Sequence, residues 1–250
     1  GMEFHTANSN IIYGGSKGST SVYKSSDNGI TWIQAGTGLP SQSDVVRACV
    51  GVTADNPSVV YALFGGNNNG FYGVYKSSDE GQTWTQQANS PNLLGWSTTG
   101  SDSDGQAWYD LAFEVSPQDE NILFVGGVNC WKSTDGGQSW NINTHWYGGG
   151  GANYMHADEH MLKYNPLNNY VYSGNDGGLY YSSDNGNIWT DISDGLQITQ
   201  FYSLGVSQTV QDKVITGAQD NGTFLKTATN WDAVIGGDGM ECIIDYTNSN

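Results

Sequence analysis

KSSDNGITW (residues 24–32), KSSDEGQTW (76–84) and KSTDGGQSW (132–140) are one phrase written three times, and SSDNGNIW (182–189) is a fourth copy. The tryptophans that end the copies, Trp32, Trp84, Trp140 and Trp189, stand 52, 56 and 49 residues apart. That period belongs to repeat arrays, in which each unit buries its apolar face only against its neighbours. Around each copy the order is the same. An apolar strand leads to a turn rich in Asn or Pro, as in ADNPSVVYALFGG, SPQDENILFVGG and YNPLNNYVYSGNDGG. A second strand ends in Gly, a third in Lys-Ser or Tyr-Ser, then come the phrase and a fourth strand opened by Trp. Four strands per repeat make an antiparallel blade, so the fold class is all-β, a β-propeller.

Composition agrees with many short strands and tight turns. Gly is 35 of 250 residues, and the aromatic and β-branched residues fall in short runs broken by Gly, Asn, Asp and Ser. With 25 acidic and 8 basic residues the formal charge is −17, which leaves no cationic patch for phosphates and excludes nucleic acid as partner. No apolar run reaches the roughly 18 residues of a membrane-spanning helix, so no membrane insertion is expected. Cys49, Cys130 and Cys242 lack metal-type spacing and read as buried free thiols, with a disulfide plus one spare as the alternative. The opening GMEF reads as appended residues and is left out of the strand assignment.

Each phrase has a mechanical reading. Asp27, Asp79, Asp135 and Asp184 can accept bonds from their own turn amides, Gly29, Gly81, Gly137 and Gly186 can take positive φ, and the Trp packs beneath the hairpin. The pattern Ser-x-Asp-x-Gly-x-x-Trp resembles the Asp-box (BNR) repeat of sialidases, xyloglucan-active glycoside hydrolases and sortilin-type receptors. The resemblance covers nearly the whole chain. It implies about five blades, near residues 8–40, 44–90, 106–147, 153–193 and 200–235, with the start of a further blade at 239–250. The fifth keeps Trp231 but lacks the Asp-box. The chain is then either a closed five-bladed ring or a fragment of a larger propeller, with other domains of a longer parent chain beside it.

Strand order assigns loops to faces. In a meander, the connections between strands one and two and between three and four share one face, which therefore holds all four Asp-boxes. Connections between strands two and three and from blade to blade share the other face. Two of the latter are long, SPNLLGWSTTGSDSDGQAW (90–108) and HWYGGGGANYM (145–155), and long loops on a rigid scaffold commonly carry function. They offer Trp96, Trp108, Trp146 and Tyr147 as planes for sugar rings; the alternative is that these aromatics pack between blades. The same face collects YMHADEHML, GNDGG, GAQDNG and GGDGME. On an extended strand His156, Asp158 and His160 point to one side, a candidate set for a divalent cation, calcium or zinc. Asp176, Asp220 and Asp238 are the candidate catalytic carboxylates. The bland alternative is that these groups bond one another and hold loops. HADEH, NDGG, QDNG and GGDG also resemble signatures of bacterial secreted Asp-box proteins, which implies a secreted or cell-surface location.

The enzyme readings can be tested on residue types. Sialidases of this motif family grip a carboxylate with three arginines, and this chain has one, Arg47, so a sialidase is excluded. A xyloglucanase-like glycosidase needs two carboxylates across a sugar, about 6.5–9.5 Å apart if inverting and about 5 Å if retaining, and in that family each of two propellers supplies one. The chain is short for both. No GxSxG elbow is present, and the cysteine-rich module of sortilin-type receptors is missing. The expectation is a secreted module that binds a polysaccharide or protein through the face opposite the Asp-boxes, not an enzyme by itself, with part of a glycoside hydrolase as the alternative.

Overall fold

The computed structural model describes residues 1–18, 21–196 and 199–248. It divides into two compact units, Gly1–Ile192 and Ser193–Asn250. The first unit holds four antiparallel sheets in chain order. The first comprises β1 (Met2–Phe4), β2 (Ile12–Gly15), β3 (Val22–Ser25) and β4 (Ile33–Gln34), and the second β5 (Val45–Val52), β6 (Val60–Gly66), β7 (Phe71–Ser77) and β8 (Thr85–Ala88). The third comprises β9 (Ala112–Val115), β10 (Leu123–Gly126), β11 (Cys130–Ser133) and β12 (Asn141–His145), extended by the short parallel β13 (Asn153–Tyr154). The fourth comprises β14 (Glu159–Tyr164), β15 (Val171–Asn175), β16 (Gly178–Ser182) and β17 (Thr190–Asp191). The second unit holds one sheet, β18 (Ser203–Val206), β19 (Val214–Ala218), β20 (Gly222–Thr227) and β21 (Asn230–Ile235).

Two details differ from the sequence reading. Met2–Phe4, set aside as appended, pairs with Ile12–Gly14, so the first sheet has its own first strand. Residues 236–248 carry no strand; residues 249 and 250, the end of the expected further blade, lie outside the described residues. All three cysteines are free.

The core of the first unit lies between sheets, not within them. One apolar cluster joins the first and second sheets around Tyr13, Val22, Val60 and Phe64, a second joins the second and third around Leu63, Val74 and Phe113, and a third joins the third and fourth around Phe124, Leu162 and Val171. Strand β6 is buried along its whole length, which is why its sequence VYALFGG lacks alternation. First strands stand side by side, β1 with β5, β5 with β9 and β9 with β14. Lys163 of β14 ties this inner row together, reaching Glu3 of β1 at 2.7 Å and Glu114 of β9 at 3.3 Å.

The four Ser-x-Asp turns close β3–β4, β7–β8, β11–β12 and β16–β17. In the second, Asp79 accepts from the Ser77 hydroxyl (2.7 Å), the Gln82 and Thr83 amides (3.0 and 2.8 Å) and the Thr83 hydroxyl (2.6 Å). These donors, the Thr83 hydroxyl foremost, hold its carboxyl down at about 2, and Thr31 does the same for Asp27. Gly81 has φ 83°, a left-handed turn that favours glycine, and lies against the Tyr13 ring of the preceding sheet. The Trp84 indole donates to the Gly81 carbonyl at 3.2 Å. Trp32 and Trp140 repeat that bond, whereas the Trp189 indole donates to Asn143 Oδ1 of the preceding sheet at 2.8 Å. Burial separates them: Trp84 and Trp140 are 5% and 7% exposed, Trp32 38%.

The lysine that opens each phrase serves the following sheet. Lys24 and Lys132 bond the turn carbonyls of Glu80 and Asn185, at 2.8 and 2.6 Å, each in the next sheet's turn. Lys76 takes the Glu120 carboxylate of the next sheet instead, at 2.9 Å. Each lysine also lies over the ring of its cross-strand partner, Tyr13, Tyr61 or Phe124. In the fourth sheet the position is Tyr181, stacked on Tyr170 at 5.6 Å, and the sheet that follows in the chain has no Ser-x-Asp turn.

Candidate functional site

The face opposite the Ser-x-Asp turns carries the connections between sheets. The one at 89–111 ends in a tight turn over Gln106–Asp110, with the Tyr109 and Asp110 amides both donating to the Gln106 carbonyl. Arg47 fixes it from β5, its Nη1 donating to the Ala107 and Tyr109 carbonyls at 3.0 Å each. The turn drives the Asp110 side chain inward to 0% exposure. The next connection ends at Asp158, whose φ of 68° is left-handed, immediately before β14.

Two tiers of side chains result. In the buried tier, Gln106 Nε2 donates to Asp110 Oδ2 (3.0 Å) and Asp158 Oδ1 (2.6 Å). Among the described residues the other Asp110 oxygen has no hydrogen-bond partner. Burial raises the pKa of both carboxyls, which titrate together as a pair and resist full ionisation. Beside them Glu159, 1% exposed, is bonded by the Ser173 hydroxyl and by the Asn175 amide at 3.3 Å. Burial pushes it up to about 8, helped by the charges of Asp110 and Asp158.

In the outer tier, Asp176, from the β15–β16 loop, accepts from the Tyr109 hydroxyl at 2.6 Å and pairs with His160 Nε2 at 2.7 Å. The Tyr109 ring stands edge-on to the His160 ring, centroids 4.9 Å apart. Carboxylate oxygens of Asp176 and Asp158 lie within 4.8 Å of each other, so the tiers meet there. The arrangement pairs neutral buried acids with an accessible carboxylate held by a phenol and an imidazole.

The expected one-sided alternation of His156, Asp158 and His160 does not form. Asp158 is left-handed, β14 begins only at Glu159, and its register shifts between Glu159 and Met161, so the strand is broken where alternation was needed. His156 packs over Gly177, where a Cβ would strike the imidazole, and its Nδ1 lies 3.2 Å from the Ala157 carbonyl. Asp158 turns to Gln106 and Asp110, and His160 to Asp176. Asp220 and Asp238 belong to the second unit, where Asp238 accepts from the Asp220 amide at 3.1 Å.

The four aromatics are all exposed, not sandwiched between sheets. Three gather around buried His145, whose Nε2 meets the Trp96 carbonyl at 3.1 Å while Tyr147 stands edge-on at 4.1 Å and Trp146 contacts Tyr147 at 4.7 Å. Asn129 secures the same loop by donating to the Trp96 carbonyl at 3.1 Å. Trp108 stands apart, 5.4 Å from Tyr109, beside the outer tier. Gln106, Tyr109, Asp110 and Glu159 were not singled out from sequence. The available signal was a charge set against an apolar run, as in YDLAFEV, which marks either a solvated strand end or a buried acid.

No family model matches the chain. Among curated proteins it is similar to a xyloglucanase from a Paenibacillus species, 26% identical over 196 residues, covering 71% of this chain and 18% of that protein. It is likewise similar to Xyloglucanase Xgh74A of Acetivibrio thermocellus, 26% identical over 133 residues, covering 50% and 15%. The chain thus spans less than a fifth of the curated relatives it matches. Among solved structures it resembles the GH74 xyloglucanase from Xanthomonas campestris (TM-score 0.57, 17% identity, 95% of this chain and 38% of that one). It also resembles a chain of a nidogen/laminin complex (TM-score 0.52, 9% identity, 90% and 73%). These likenesses, with the five antiparallel four-strand meanders, give the chain a β-propeller-type fold with weak similarity to glycoside-hydrolase propellers.

Proposed function

We propose that the chain is an Asp-box propeller module, with the blade boundaries drawn from its repeats, that works outside a bacterial cell and binds polysaccharide through the face opposite the Asp-boxes. One observation carries this reading: Trp96, Trp108, Trp146 and Tyr147 are exposed on that face, on loops held by Arg47, Asn129 and His145. Flat rings held rigid lose little entropy when a sugar stacks on them. The test is retention on insoluble polysaccharides and affinity electrophoresis in soluble ones. Trp96→Ala and Trp146→Ala each weaken retention; unchanged retention in both sinks the reading. A protein ligand is the outcome if no polysaccharide is retained and a protein is captured in a Trp146-dependent way.

A second reading, contribution to glycoside hydrolysis, is favoured by Asp176, an accessible carboxylate bonded by Tyr109 and His160 beside acids held neutral by burial. The similarity to xyloglucanases supports it in the same degree. Carboxylate oxygens of Asp158 and Asp176 are too close together to admit the water of an inverting pair, so an inverting partner for Asp176 has to come from elsewhere. Release of reducing sugar from xyloglucan or β-glucans by the purified chain, lost in Asp176→Asn, is the result that selects this reading.

A further inference from the structure

A separate groove of about 590 Å³ opens beside β7 and β8, on the same face and away from the carboxylate tiers. We propose that it is a second carbohydrate subsite, specific for neutral sugar rings; this rests on the reading of the module as a polysaccharide binder. Its size is that of a small-molecule site. It is lined by Asn67, Asn68, Tyr72, Tyr75, Gln86 and Asn89, with no ionisable acid or base, on a chain whose net charge is −17. Such an uncharged enclave on so acidic a surface fits hydroxyl groups, which pair with amides and phenols as both donors and acceptors.

The walls are held in place before any ligand arrives. Asn67 Nδ2 donates to the Ser43 carbonyl at 2.7 Å and Asn68 Nδ2 to the Ser103 carbonyl at 2.6 Å, which anchors the rim to two inter-sheet connections. Tyr75 stands edge-on to buried Phe64, centroids 5.5 Å apart, and its hydroxyl is pushed up to about 12 by burial, so it stays a neutral donor. Behind the lining, Gly73 leaves room for two of these side chains: a Cβ there would sit 2.8 Å from Gln86 Nε2 and 3.2 Å from the Tyr75 ring. Any side chain there would fill the space beside the Gln86 amide. The Gln86 and Asn89 amides and the Tyr72 and Tyr75 hydroxyls take no partner among the described residues, so four polar groups converge on the groove with their bonding capacity unspent. A uronate finds no cation here, and desolvating its carboxylate without one is costly.

The direct assay follows the side-chain amide signals of Gln86 and Asn89 by NMR while cellotetraose, mannotetraose or trigalacturonate is added to the full chain. The expected result is saturable movement of both signals with a neutral tetrasaccharide and none with trigalacturonate, and, by titration calorimetry, about tenfold weaker binding in the Gln86→Ala/Asn89→Ala double variant. Signals that stay still with both neutral probes, while Trp96→Ala still abolishes polysaccharide retention, overturn the groove and leave the face reading intact. Still signals together with no polysaccharide retention overturn both. Equal movement with trigalacturonate overturns the neutral specificity.

Discussion

Glu159→Gln is a perturbation whose effect can be worked out in sign and size. Glu159 is 1% exposed, its carboxyl bonded by Ser173 and Asn175 and lifted from 4.5 to about 8 by burial. In the folded chain it is protonated at neutral pH; unfolded, it is ionised above about pH 4.5. Folding therefore takes up a proton, and the stability tied to this group is full below its unfolded value and drains as pH rises toward 8. The drain is about 1.4 kcal/mol per pH unit for one proton, so about 2–3 kcal/mol between about pH 5.5 and 7.5. Gln is the uncharged isostere and carries no such dependence. Urea denaturation of wild type and variant at a series of pH values gives the difference directly, and the variant should gain on the wild type by that amount across the interval. Asp110 and Asp158 titrate in both proteins, so their common slope cancels to first order. A difference that stays flat from pH 5.5 to 7.5 refutes the claim that Glu159 is buried as the neutral acid.

Trp140→Ala should cost about 3–5 kcal/mol in urea denaturation, and Trp32→Ala clearly less, because only Trp140 is enclosed between sheets. Asp135→Ala removes bonds to Ser133, Gln138 and Ser139 and should cost about 1–3 kcal/mol, an effect lost below the depressed native pKa of that carboxyl. Arg47→Met should free the 106–110 turn; faster hydrogen exchange at the Tyr109 and Asp110 amides, with β6 amides unchanged, is the expected signature. Millimolar calcium or zinc, and EDTA, should leave the melting temperature unmoved, because Asp158 is bonded to Gln106 and His160 to Asp176; a rise with either metal restores the cation reading.

The fold was legible because its signal is local and repeated. A nine-residue turn phrase, with its Asp bonding its own amides, needs no knowledge of distant residues, and counting strands between copies assigns every loop to a face. That assignment held for Asp158, Asp176, Trp96 and Trp146. What the sequence hid is what depends on depth. Asp110 and Asp176 look alike in one dimension, yet one is sealed beneath the Gln106 turn and the other reaches solvent beside Tyr109. The HADEH alternation misled for a conformational reason: a single left-handed residue at Asp158 resets the phase of everything after it, sending Glu159 inward and His160 outward. Met2–Phe4 was missed because three residues carry no period, and only pairing with β2 makes them a strand.

The lysine of the phrase shows why the visible repeat and the mechanical unit are out of step. Written in sequence, Lys24 belongs to the turn of Asp27; in space it grips the turn of Asp79, in the next sheet. For Lys24 and Lys132 the energetic unit is thus a sheet's aromatic–lysine pair plus its successor's turn, and a substitution at either acts on the neighbour. The fourth sheet bears this out by exception, because Tyr181 stands at the lysine position and no Ser-x-Asp turn follows it in the chain. This interlocking matters for the face proposed to bind. The loops carrying Trp96, Asp110 and Asp158 each leave one sheet and enter the next, so their spacing is set by how firmly successive sheets are clamped. The Ser-x-Asp turns bear on the opposite face by holding the sheets that hold the loops.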